Sequence, residues 1–148
     1  MDINIIALLI GCVVAIAIVY KFKHAGLEGK PWTYPALLAS FPAYYWLFSV
    51  HAADYDALVF EFIVGLAFMV VAYLGYRVQR RLSLLILSVG FMGHGVYDVF
   101  HTFVSYHPVA PTWWAEFCGS VDILVGLYLL WLAKAVNVRR NNLTRHSN

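Results

Sequence analysis

Five apolar runs, over about residues 3–20, 33–50, 57–76, 82–104 and 112–133, take up most of this chain. Each is close to the roughly 20 residues that a helix needs to cross a bilayer. A segment in hydrocarbon must satisfy its own backbone, which leaves only helices and closed barrels. Barrel strands would read as ~10-residue alternating segments, and none is visible. Only 12% of the residues are charged, against about 25% in an ordinary soluble domain. The sequence therefore predicts an all-α membrane protein, a five-transmembrane-helix bundle forming one domain over 1–148. Short loops and a polar tail leave no room for a separate soluble domain.

The charges set the orientation. Lys21, Lys23 and Lys30 follow the first run; Arg77, Arg80 and Arg81 separate the third from the fourth; Lys134, Arg139, Arg140 and Arg145 follow the fifth. A five-span topology puts every one of these on the same side. The positive-inside rule makes that side cytoplasmic, so the N-terminus is expected outside and the C-terminus cytoplasmic. Asp2 precedes the first run and lysines follow it, the reverse of a cleavable signal peptide, so this run reads as a retained helix. The location expected is an inner membrane or plasma membrane, with membrane lipids as partners. No basic patch or binding motif points to nucleic acid. An Asn142-x-Thr144 sequon falls on the cytoplasmic side and is expected to stay unmodified.

Against this apolar background the stretch "GHGVYDVFH", residues 93–101, is costly. At ~100° per residue, His94, Asp98 and His101 fall within a sector of about 60° on one helix face. They lie in the outer half of the fourth run, with Tyr97 at the edge of the face and Ser105 continuing it. The fifth run carries Asp122 roughly 15 Å from its outer end, on the same face as Cys118, and the third carries Glu61 about one turn in. Glu116 and His107 are expected near the outer surface, solvated rather than ligating. No Lys or Arg is available in the outer half to neutralise these carboxylates. An ionised carboxylate in hydrocarbon must take a proton, pair with histidinium or bind a cation.

His94, Asp98 and His101 are therefore candidate metal ligands, and His/Asp/Glu sets suit Zn²⁺ or non-haem Fe/Mn. The reach from His94 to His101 is long. Asp98 and one histidine joined by Asp122 or Glu61 make the more plausible shell. Asp122 and Glu61 are also the candidate catalytic carboxylates. The alternative for the whole set is a hydrogen-bonded network that glues helices together. Cys12 and Cys118 lie within runs and read as small hydrophobes, with no disulfide framework. The second run is rich in aromatic residues. Packing and an interfacial belt account for them, and so does a wall for an apolar ligand. Tyr44, Tyr45, Tyr97 and Trp114 are the candidates for such a pocket. Pro42 inside the second run predicts a kink.

The segment "GHGVYDVFH…PTWWAEFCGSVDILVGLYLL", the last third of the chain, resembles a class of small bacterial integral-membrane proteins of unknown function. These pair an intramembrane HxxxDxxH helix with a following WxxFCxxxD helix, here His94/Asp98/His101 and Trp114/Phe117/Cys118/Asp122. The resemblance implies a membrane bundle and no particular activity. A more distant similarity is to the sterol-isomerase and sigma-2-receptor superfamily, whose charged motifs do not align here.

Three functions follow from these residues. One is a metal-dependent enzyme acting on a lipid-like substrate from a site open to the outer leaflet. Another is a metal-ion or proton binding or transport protein, for which a homo-oligomer would help complete a pathway. The third is a metal-free protein that binds a lipophilic small molecule.

Overall fold

A proline divides the second apolar run. Pro42 has no N–H to continue the helix, and its ring opposes the carbonyl of Leu38. In the computed structural model that carbonyl instead accepts the Phe41 N–H at 3.3 Å, and the run becomes two short helices. These are α2 (Thr33–Ser40) and α3 (Pro42–His51). The expected kink is thus a one-residue interruption at Phe41, whose torsions stay in the right-handed helical region, and neither half reaches spanning length by itself. The structure describes the backbone over residues 3–104 and 109–146, and side chains over 3–101 and 109–137.

Four helices are long and apolar enough to cross a membrane: α1 (Ile5–His24), α4 (Tyr55–Arg77), α5 (Arg80–Val104) and α6 (Trp114–His146). No strand occurs among the described residues. The starts of α1 and α4 are capped. Asn4 accepts the Ala7 N–H at 3.0 Å and Asp54 accepts the Ala57 N–H at 2.9 Å, each satisfying a donor left over at a helix N-terminus. α6 runs past the expected end of the fifth span into the polar tail.

In this arrangement α5 lies between α6 and α4, α1 packs on α6, and the α2–α3 pair packs mainly on α4. Small residues permit the closest approaches. α1 buries only Ala7, Gly11 and Ala15, one small residue per turn. A Cβ on Gly11 would sit 2.3 Å from the Phe117 carbonyl oxygen, so the two helices nearly touch there. The rest of α1 is apolar and exposed, as in Ile6, Leu9, Val13 and Ile16, and so is much of α4, as in Val59, Ile63 and Val70. Water would penalise so much contiguous apolar surface, whereas lipid would not.

The interior is layered. Leu38, Leu87, Phe91, Val125 and Leu129 fill one half, all at most 1% exposed. The buried ionisable groups lie in the other half, towards the α3–α4 turn and the start of α6. At the opposite end, Arg80 donates to the Glu28 and Gly29 carbonyls, and the Tyr128 hydroxyl donates to the Glu28 carboxylate. These contacts tie the α1–α2 loop to α5 and α6.

Gly11→Ala should therefore lower the detergent-solubilised protein's stability by about 1–3 kcal/mol, because the Phe117 backbone carbonyl, as well as the Ser120 side chain, blocks the new methyl. Gly93→Ala meets nothing within 4 Å and should melt at the wild-type temperature or slightly above. Equal melting of the two variants would contradict the packing described.

Candidate metal centre

Four ligand-type side chains meet where α5 faces α6. His94 and Asp98 are one turn apart on α5, and Cys118 and Asp122 are one turn apart on α6. Residues at i and i+4 share a helix face, so each helix offers a pair to the other. One ligating atom from each of the four lies within 4.8 Å of the others, and all four residues are buried. The helices approach this closely because glycines face each other: a Cβ on Gly95 would lie 3.0 Å from the Asp122 Cβ and 3.2 Å from the Gly119 carbonyl oxygen.

His94 Nδ1 sits between two carboxylates. Asp122 Oδ2 is 2.9 Å away and Asp98 Oδ2 is 3.4 Å away. Cys118 Sγ is 3.8 Å from Asp122 Oδ2, and the Tyr45 hydroxyl donates to Asp98 Oδ1 at 2.8 Å. Asp122 Oδ1 is buried with no hydrogen-bond partner among the described residues. Phe68 and Phe41 pack edge-on to the His94 ring, at centroid distances of 4.7 and 5.6 Å, and exclude water from it. A thiol, an imidazole and two carboxylates make a mixed donor set suited to Zn²⁺ or iron, and the unpartnered Asp122 oxygen is a lone-pair site that a cation would satisfy.

A second cluster lies beside the first. His101 Nε2 is 2.6 Å from Glu61 Oε1. The Tyr97 hydroxyl donates to Glu61 Oε2 at 2.8 Å. Tyr45 links the clusters, since it bonds Asp98 and its ring lies 4.9 Å from that of His101. Every ion pair among the described residues joins a histidine to a carboxylate, with no Lys or Arg taking part.

The residues singled out from the sequence are thus distributed over two clusters. His94, Asp98 and Asp122 converge, whereas His101 stands with Glu61 instead of in the four-residue group. Tyr45 and Tyr97 hydrogen-bond the carboxylates. Tyr44 and Trp114 stack on each other at 5.2 Å, outside both clusters. Glu116 Oε1 accepts the Asn4 N–H at 3.2 Å, at the start of α1. Ser105 and His107 lie outside the described residues. Cys118, read from the sequence as a small hydrophobe, is a member of the four-residue set. Its signal was available in its spacing, one turn before Asp122 on the same face.

The chain matches no family model, no curated protein and no solved structure.

Removing His94 would leave Asp98 and Asp122 buried against each other. His94→Ala should cost about 3–5 kcal/mol of stability, as breakage of a buried pair does. Tyr45→Phe removes one hydrogen bond to a charged group and should cost only about 1.5–3 kcal/mol. Thermal melts in one detergent compare the two, and an His94→Ala protein as stable as wild type would mean that the pair is not formed.

Proposed function

We propose that this chain is a five-span membrane metalloprotein, N-terminus outside, that binds Zn²⁺ or Fe/Mn between α5 and α6 and acts with it on a lipid-like substrate. The observation that carries the reading is the pairing of His94/Asp98 with Cys118/Asp122, one ligating atom from each residue within 4.8 Å of the rest. Buried carboxylates with no Lys or Arg partner are expensive in a membrane interior, and a bound cation relieves that cost. The α2–α3 pair supplies the fifth crossing, in two pieces. That crossing puts the basic residues at 21, 23, 30, 77, 80, 81 and 134 on the cytoplasmic side.

The chain's own groups divide the work. His94, Asp98, Cys118 and Asp122 hold the ion. Tyr45 fixes one Asp98 oxygen and so orients that carboxylate, as outer-shell partners of metal ligands do. Glu61 stands outside the four-residue set, steadied by Tyr97 and His101, and is the carboxylate placed to take or give a proton as general acid–base. Phe41 and Phe68 keep water from His94. The ion, when bound, supplies Lewis-acid polarisation of a substrate oxygen. The transport alternative is disfavoured by the packed apolar half, where Leu38, Leu87, Phe91, Val125 and Leu129 leave no polar route.

Protein purified without chelator should carry about one equivalent of transition metal by elemental analysis. Adding the metal at 100 times its Kd should stabilise the stripped protein by about 2.7 kcal/mol. Tyr45→Phe should weaken metal affinity roughly 10- to 100-fold, and Cys118→Ala by at least as much. No metal on the wild-type protein together with an unchanged melt on adding Zn²⁺, Fe²⁺ and Mn²⁺ ends the proposal. For the topology, a reporter enzyme active only outside the cytoplasm should work when fused after Ala53 and fail when fused after Val78. The opposite pattern inverts the orientation.

A further inference from the structure

The metal centre has a neighbour that the sequence did not disclose. A lipid-facing groove of about 700 Å³ runs between α1, the α2–α3 break and α6. Its walls are almost wholly apolar. On α1 they extend from Asn4 to Ile18, a distance of about 21 Å at 1.5 Å per residue. Ile6 and Ile10 line it and are 72% and 51% exposed, so its open side faces the bilayer and not the interior.

Two of its wall residues also belong to the centre's surroundings. Cys118 lines the groove and places its Sγ 3.8 Å from Asp122 Oδ2. Phe41 lines it and packs edge-on to the His94 ring. Cys118 thus belongs to both the groove wall and the ligand set, and Phe41 touches both the groove and the His94 ring. The depth of that contact is informative. Cys118 is one turn, about 6 Å, inside Trp114 at the groove's outer end, and the groove continues past it to Leu37 and Ile18. An occupant lying along the groove would therefore meet the centre partway along its chain, with its end group at the rim near Asn4.

We infer that this groove holds the hydrocarbon chain of a single-chain amphiphile, a fatty acid or an alcohol of similar length, with its polar end at the outer rim and an internal stretch of the chain against Cys118. The inference rests on the lipid-directed metal centre proposed above and assigns its substrate class. The volume falls in the range of small-molecule pockets, about 300–1,000 Å³. The lining offers an alkyl chain dispersion contacts along its length and offers almost no hydrogen bonds, whereas an internal polar group would lose its own without replacement.

The test uses the full chain in phospholipid nanodiscs and a 16-carbon fatty acid carrying a mid-chain diazirine. After photolysis, labelled peptides are mapped by mass spectrometry. The bilayer phospholipid is itself in large excess, so labelling that survives it and is competed by unlabelled palmitate reports preference for a single-chain guest. We expect such labelling on the α1 segment around Ile10–Val14 and on α6 around Cys118, reduced at least tenfold by Ile10→Trp and by Leu37→Trp, which fill the groove from opposite walls. Melting temperatures check that both variants fold, and the palmitate competition on wild-type protein needs neither. Labelling that palmitate does not compete, or that spreads evenly over the exposed faces of α1 and α4, overturns the inference. Metal content is measured on the same samples and on chelator-stripped protein. Competed labelling without bound metal keeps the groove and removes the centre; bound metal without competed labelling does the reverse.

Discussion

The structure depends on how closely α5 and α6 approach. In the bilayer that the four long apolar helices are fit to cross, no hydrophobic force would drive helices together, so packing and interhelical polar contacts would have to do so. Here glycines supply the packing. A Cβ on Gly126 would fall 2.8 Å from Met92 and 3.1 Å from the Ser88 carbonyl, while the Ser88 hydroxyl donates to the Gly126 carbonyl at 2.8 Å. Further out, Gly95 sits against Gly119 and Asp122. A larger residue at Gly95 or Gly126 would push the helices apart and strain the 2.9 Å contact between His94 and Asp122. The chemistry of this interface is thus a consequence of the absence of side chains beside it.

The second constraint is the division of the interior into an apolar half and an ionisable half. Large aliphatic and aromatic groups close one end, and the five buried imidazoles and carboxylates occupy the other. Aromatic rings from the α2–α3 junction, α3 and α4 wrap the histidines, which keeps the local dielectric low and strengthens each polar contact within. The break at Pro42 contributes to this wrapping. Phe41 reaches His94 from one side of the break, and Tyr45, one turn into α3, reaches Asp98 from the other.

Much of this was legible in the residues. Run length marks the helical class and the approximate positions of the four long helices, because lipid admits few alternatives to a helix. The 60° sector gave the buried face of α5, because any ionisable residue in a span must turn inward. What periodicity could not supply was which partner each residue meets. His101 shares a face of α5 with His94, yet it meets Glu61 of α4, which packs against α5. Cys118 looked like filler because thiols usually are; only its distance from three other ligand atoms changes that. Pro42 marks the lost hydrogen bond in the sequence, and the interruption stands there, at Phe41. The small-residue stripe Ala7–Gly11–Ala15 has no contrast of its own inside a uniformly apolar run.

One consequence remains in the count of charges. Glu61, Asp98 and Asp122 are buried with His94 and His101, and no Lys or Arg joins any of their ion pairs among the described residues. Three ionised carboxylates beside two imidazolium rings would demand one further positive charge to balance within the set. A proton meets the demand, and so does an ion, but the two compete for the same deficit. Were a cation held there, loading would be an exchange: the ion would displace protons towards the medium, and acid would favour its release.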